Sequence, residues 1–216
     1  MIEFRHVYLK YIKDFYTLYD INLSINENSL LIGQCSDGTN SILRLISKID
    51  KKYEGNIFFD DLNLKLLKDK NLDIAYVSEK TYLFKSKSVF ENLYYPLKIR
   101  KVKQNEAKII IDSYINKFKI DFTLNKIKNL THSQQKIVTL LRALIRKPKY
   151  VLLEHYFNDL DENQISLTEN IINEMKQHST IIACEDLDTN ISCFNDFRRI
   201  KLENGSLIQS DKQKNL

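Results

Sequence analysis

The sequence predicts an α/β fold, and three observations carry that prediction. A strand, a glycine-bearing loop and a helix follow one another over residues 29–49. Beyond residue 150, short buried-type apolar stretches alternate with a helical one. The length of 216 residues, with 43% apolar and 28% charged, suits one globular domain, or one domain carrying an inserted subdomain.

In chain order, residues 2–7, Leu18–Ile25 and Ser29–Ile32 read as strands. A polar loop over 33–40 leads into 41–49, where Ile42, Leu45, Ile46 and Ile49 repeat at helical spacing. Residues 55–60 and 72–77 are further strands, β-branched and aromatic between polar punctuation. From 88 to 146 the pattern is mostly helical. Residues 106–118 form one helix and 134–146 another, with Ile137, Leu140, Leu141 and Leu144 on one face and Ser133 as its N-cap. A strand at 150–153, a helix at 162–177 and a strand at 180–184 follow. Residues 199–202 and Ser206–Ile208 pair as a hairpin on the Asn204-Gly205 turn, and 210–216 is a charged, solvated tail. Repeats and long linkers are missing, so residues 1–216 read as a single domain.

Composition narrows the function classes. No run approaches the roughly 18 apolar residues that span a bilayer. The opening MIEFRHVYLKY has charges where a leader needs its apolar stretch, so a cytoplasmic location is expected. Three cysteines (Cys35, Cys184, Cys193) contain no CxxC pair and indicate neither a disulfide framework nor a zinc site. A net charge of +5 is mild at this length, and the Lys-rich runs at 98–103 and 146–149 read as solvated faces. No nucleic-acid partner is expected.

The chain holds only four glycines, and two of them, Gly33 and Gly38, fall within six positions. With Ser36, Asp37, Thr39, Asn40 and Ser41 they form a Gly-x4-Gly loop between strand and helix, the setting of a phosphate-binding loop. Successive backbone N–H groups there can wrap an anion while the helix N-terminus adds partial positive charge. The spacing alone is weak. An ordinary strand-to-helix turn, with Thr39 and Asn40 capping the helix, would look the same.

The order of the remaining segments adds to this. Tyr11, LYDINLSI at 18–25, the loop at 33–41, YVSEKTYLF at 76–84, SVFENLYYPLKIR at 88–100, LTHSQQKIVTLLRALIRKPKYVLLEHYFNDLD at 130–161, TIIACEDLD at 180–188 and LENGSL at 202–207 succeed one another. In that order they resemble, over essentially the whole chain, the nucleotide-binding subunit of ATP-binding-cassette (ABC) transporters. The resemblance implies a P-loop NTPase core with a mixed, mainly parallel sheet. It also implies an N-terminal antiparallel β part and a helical subdomain at about 86–146. It makes Tyr11 the adenine-stacking aromatic, 33–41 the phosphate loop, 130–134 the signature and Asp161 the D-loop aspartate.

Residue by residue, the same resemblance departs from the family's chemistry. The phosphate-loop lysine is Thr39, and the Mg²⁺-binding hydroxyl is Asn40, next to Ser41. The Q-loop glutamine is Glu79. The signature reads Leu130-Thr131-His132-Ser133-Gln134, without glycine. The Walker B aspartate is Glu154, the carboxylate that polarises water is His155, and the H-loop histidine is Glu185. Removing one ammonium about 4 Å from a phosphate forfeits on the order of 4 kcal/mol at an effective dielectric near 20, roughly three decades in rate or affinity. Glu79 and Glu185 set carboxylates where phosphate is expected. Asn40, Glu79 and Glu154, at the family's Mg²⁺ positions, make no confident metal site.

Three functions are therefore weighed. The first is a pseudo-ATPase cassette, binding ATP weakly or not at all, that docks on an integral membrane permease at the inner face of the membrane. The second is a working ATPase coupling ATP to transport, as a homodimer or beside an intact cassette in a heterodimer. The third is an interaction module unrelated to transport. For the first, Leu83, Phe84, Val89, Phe90 and Leu93 lie on the stretch where the resemblance places the permease groove.

Overall fold

A computed structural model describes residues 1–69, 72–186 and 191–208. The expected tail at 210–216 and the last two residues of the 180–188 segment lie outside the described residues.

Two sheets organise the chain. In the first, β1 (Ile2–Leu9) lies antiparallel between β2 (Leu18–Ile25) and β4 (Glu54–Phe59), and β5 (Leu62–Asn63) completes the edge. The second sheet has six strands, in the order β10-β9-β3-β8-β7-β6. These are β3 (Ser29–Ile32), β6 (Ile74–Val77), β7 (Tyr150–Glu154), β8 (Thr180–Glu185), β9 (Arg198–Glu203) and β10 (Ser206–Ile208). All pairings in it are parallel except β9 with β10. That pair is the expected hairpin, and Asn204 and Gly205 both take the positive φ that its tight turn requires.

Strand periodicity distributes the core. Leu30, Val151, Leu153, Ile181 and Ala183 enter one cluster, while Leu31, Tyr150, Leu152, Ile182 and Cys184 enter the other. A parallel sheet buried on both faces needs this near-continuous apolar run rather than a polar alternation. The helix α1 (Thr39–Ile46) lies with the antiparallel sheet in the second cluster, burying Ile42, Leu43, Leu45 and Ile46. On the opposite face lie α2 (Val89–Ile99), α3 (Gln104–Lys117), α4 (His132–Arg146) and α5 (Glu162–Met175). The stripe Ile137, Leu140, Leu141, Leu144 is buried as its spacing predicts. Among the described residues no helix is long and apolar enough to cross a membrane.

Two helix starts differ from expectation. Thr131, not Ser133, caps α4: its Oγ1 accepts from the Gln134 amide at 3.2 Å, and Gln134 Oε1 accepts from the Thr131 amide at 3.0 Å. The sequence T-x-x-Q closes a reciprocal box that Ser133, followed three residues later by Lys136, cannot. Ser133 Oγ instead accepts from Gln164 Nε2 at 3.0 Å. At α1 the N-cap is Gly38, with no side-chain cap, so Thr39 and Asn40 are the first helical residues rather than capping groups. Gly38 sits at φ 89°, and a Cβ there would lie 2.6 Å from Leu18 Cδ2 and 2.7 Å from the Thr17 carbonyl. No other residue fits this approach.

Candidate functional site

Adjacent strands bring the distant segments together. β3, β8 and β7 lie side by side with Ile32 opposite Glu185 and Glu154 opposite Cys184, so Gly33, Glu185 and His155 emerge at one carboxyl edge. That edge is where open α/β sheets present their ligand sites.

The loop is held by its own carboxylate. Asp37 Oδ2 accepts from the Gln34 amide at 2.7 Å, and Oδ1 accepts from the Asn204 amide of the closing hairpin at 3.0 Å. The Gly33 amide donates to the Glu185 carbonyl at 3.3 Å. A cleft of about 500 Å³ beside the loop is lined by Ser36, Asp37, Asp186 and Glu203, against Lys201. Thr39 is fully buried, and its Oγ1 has no hydrogen-bond partner among the described residues.

Asn40 reaches across to the neighbouring strands. His155 Nε2 stands 2.8 Å from Asn40 Oδ1, and the Cys184 thiol donates to the same oxygen at 3.0 Å. His155 is buried and has φ 43°, in the left-handed region that few residues with a side chain adopt and histidine enters more readily than most. Its amide donates to the Cys184 carbonyl at 3.1 Å. Its Nδ1 faces Asp186 Oδ1 at 3.7 Å, beyond hydrogen-bond range. Burial pushes the Cys184 thiol well up, so it serves as a neutral donor.

Beside this group lies a second, more buried one. Glu185 is buried, and burial pushes its carboxyl up to about 7; the Tyr156 amide pulls the other way, Asp186 adds to the push, and Lys136 and the Phe157 amide oppose it. Lys136 is fully buried on α4, donating to the Asn158 carbonyl at 2.7 Å with its ammonium 5.2 Å from the Tyr156 ring centroid. Burial lowers its pKa, against the charges of Asp159, Glu79 and Glu185. Glu154 ends β7 half-buried beside Tyr76, whose phenol is raised by burial and by that carboxylate.

The remaining expected residues lie further out. Glu79 and His132 are exposed, and His132 opens α4 rather than lying in a loop. Leu130 is buried. Asp161 caps α5 by accepting from the Gln164 amide at 2.9 Å. Tyr11 is 54% exposed; its hydroxyl donates to Asp50, and Ser41 Oγ, 3.2 Å away, is placed to donate to the phenol oxygen. Asp50 in turn takes two bonds from Arg44, at 2.8 and 2.9 Å.

Sequence reasoning missed Lys136, Cys184 and Asp186. Lys136 precedes Leu140 by four residues and Ala143 by seven, on the buried stripe of α4, and that periodicity was the available signal. Among the described residues, no cluster of three or more His, Cys, Asp or Glu could hold a metal ion.

The family model for the ABC transporter matches residues 18–158. The chain is 28% identical over 164 residues to the spermidine/putrescine import ATP-binding protein PotA of Clostridium acetobutylicum, covering 74% of this chain and 46% of that protein. It is 32% identical over 154 residues to the sulfate/thiosulfate import ATP-binding protein CysA of Bacillus cereus, covering 68% and 43%. The chain thus spans less than half the length of these relatives. The ATP-binding cassette MJ0796, solved as a dimer in a post-hydrolysis state bound to ADP and Pi, has a TM-score of 0.81. All of both chains is covered, at 21% identity, a likeness of fold. Fold, segment order and matched residues agree: the chain belongs to the ABC transporter family.

Proposed function

We propose that this chain is a transporter cassette that docks on an integral membrane permease at the inner face of the membrane and turns over ATP slowly or not at all. The observation that carries the reading is the hydrogen bond between His155 and Asn40. Resemblance makes one the water-polarising position and the other the Mg²⁺ ligand, and here the two satisfy each other. Mg²⁺ requires oxygen ligands in near-octahedral array. Asn40 Oδ1 is already engaged by His155 and Cys184. In the cleft beside the loop, Asp37, Asp186 and Glu203 outnumber Lys201, and Thr39 adds no ammonium within the loop itself. The residues present therefore do not fit a magnesium-bound triphosphate. What persists is a loop with backbone amides and a helix N-terminus, which supports weak anion binding only.

The docking half of the proposal draws on the apolar segment after β6. Val89 and Leu93 are fully buried, Leu83 and Phe90 are half-buried against the core, and Phe84 is 45% exposed. Phe84 and Tyr95 meet edge to face at 4.9 Å and stand in the wall of a groove of about 670 Å³ between β6, α2 and α4. A helix-in-groove contact suits this shape. The cassette would pair with a second copy or with an intact cassette.

ATP hydrolysis by the purified chain tests the catalytic half. Turnover at background is expected. Turnover of about one per second, abolished by Gly38→Asp, overturns it.

A further inference from the structure

We infer that the cleft beside the loop at 33–41 binds an alkylammonium, whose N–H groups bridge His155 and Asp186. Permease docking plays no part in this assignment. Two independent features carry it: the charge of the cleft, and one orphaned atom next to Asp186.

The cleft holds about 500 Å³ between the loop, the end of β8 and the β9–β10 hairpin. Three carboxylates line it, Asp37, Asp186 and Glu203, against one ammonium, Lys201. Asp37 engages both oxygens with the amides of Gln34 and Asn204. Asp186 and Glu203 are exposed, and among the described residues neither lies within ion-pair distance of a Lys or Arg. A phosphate entering here would meet charge of its own sign, whereas a cation would be drawn in.

Carboxylates on a surface are common, and alone they define no ligand. His155 supplies the second feature. Its side chain is more than nine-tenths buried, and Nε2 donates to Asn40 Oδ1, so Nδ1 is left as an acceptor. That acceptor has no partner among the described residues. It stands 3.7 Å from Asp186 Oδ1, itself an acceptor, so the two cannot satisfy each other. One nitrogen carrying several hydrogens can lie about 2.9 Å from both. A primary ammonium has three hydrogens and the positive charge that the cleft favours. Water would bridge the two acceptors without neutralising the carboxylates. A quaternary ammonium would neutralise charge but leave Nδ1 unpaired in a buried ring. Ile32, Leu202 and Ile208, in the same lining, offer contact to an alkyl chain. The donor set does not suit a metal ion instead, since among the described residues no three of the required side chains converge.

Calorimetry on the full chain tests this with n-butylammonium as the probe. The control is n-butyltrimethylammonium, which keeps the chain and the charge but has no N–H. Butylammonium should bind with a Kd of about 1 mM, and the control at least about tenfold more weakly. D186N should weaken butylammonium about tenfold with an unchanged thermal midpoint, because Asp186 is exposed. K201Q removes the competing ammonium and should tighten it. In chain labelled with ¹⁵N-histidine, the other three imidazoles are assigned through H6Q, H132Q and H178Q. The His155 Nδ1 resonance should then move on titration while Nε2 stays in place. No detectable binding of butylammonium, equal binding of the two probes, full affinity in D186N or an unmoved Nδ1 resonance would each overturn the inference. Nα-acetyl-lysine methylamide distinguishes the sources of the ammonium. Tighter binding than butylammonium assigns the cleft to a lysine presented by a protein, and weaker binding assigns it to a free amine.

Discussion

His155 and Asn40 stand 115 residues apart in the chain and share a hydrogen bond of 2.8 Å. The bond ties the first turn of α1 to the end of β7, with Cys184 of β8 joining at the same oxygen. With Oδ1 facing it, His155 Nε2 carries the proton. Its Nδ1 already lacks a partner among the described residues. Asn40→Ala would leave both nitrogens of a buried imidazole unpaired, at a cost of about 1–3 kcal/mol. The expected result is a lower urea midpoint at unchanged m. An unchanged midpoint would mean that the bond contributes nothing to the fold.

The same bond bears on nucleotide affinity. The loop retains Gly38 at φ 89° and the start of α1. It lacks an ammonium, and Asn40 Oδ1 is engaged by His155 and Cys184. Calorimetry should give a nucleotide Kd weaker than about 100 µM, hardly improved by Mg²⁺. Micromolar binding that needs Mg²⁺ would show that the substituted side chains had formed a different working site.

Much of this arrangement was legible because it is local. The loop, the stripe of α4 and the Asn204-Gly205 turn depend on spacings within ten residues, where backbone physics dominates. The sequence points to an α4 cap two residues too late because Ser133, taken alone, is a better single cap than Thr131. The deciding Gln134 matters only once the reciprocal box is considered. The family resemblance located Asn40 and His155 without indicating that they bond to each other. Such a contact depends on β3, β8 and β7 being neighbours, which sheet order determines and local pattern does not. Lys136 escaped notice for a related reason. Lysine is almost never fully buried, and its acceptor, the Asn158 carbonyl, is 22 residues away.

Glu185 makes stability depend on pH. Its carboxyl is raised from 4.5 to about 7, chiefly by burial. Between those values the folded chain binds a proton that the unfolded chain has released, so stability falls as pH rises through 7. The stabilisation is fully present below about 4.5, and its full extent is on the order of 3 kcal/mol. Glu185→Gln should flatten the pH dependence of the urea midpoint between pH 5 and about 8. A wild-type slope of opposite sign there, unaltered by the substitution, would contradict the assignment.

Lys136 is the cation that restrains Glu185. Lys136→Met keeps most of the buried volume but removes the charge and leaves the Asn158 carbonyl without its donor. Glu185 should then titrate at a higher pH, and the falling limb of the stability curve should extend to higher pH from the same start. Combined with Glu185→Gln, Lys136→Met should leave no such limb, a non-additivity expected for two groups in one network. Independent effects of the two substitutions on that limb would separate the groups.

The apolar segment after β6 divides into two kinds of residue, and substitution should tell them apart. Val89 and Leu93 are fully buried in the cluster that joins α2 to α4 and the central sheet. An aspartate at either position puts an unpaired charge into that core, and several kcal/mol of destabilisation should leave little folded chain. Phe84 has its amide and carbonyl fixed by the side chain of Asn92, at 2.8 and 3.2 Å, and presents its ring to the groove. Aspartate there changes the groove while the Asn92 bonds hold the backbone, so the thermal midpoint should shift by only a few degrees. Fractionation of cells carrying each variant is the measurement. Phe84→Asp should move the folded chain from membranes to the soluble fraction, whereas Val89→Asp and Leu93→Asp should lower its amount in both. If wild-type chain is itself wholly soluble in its own cells, and no membrane protein accompanies it in mild detergent, the groove serves no permease and the cassette acts as a free-standing interaction module.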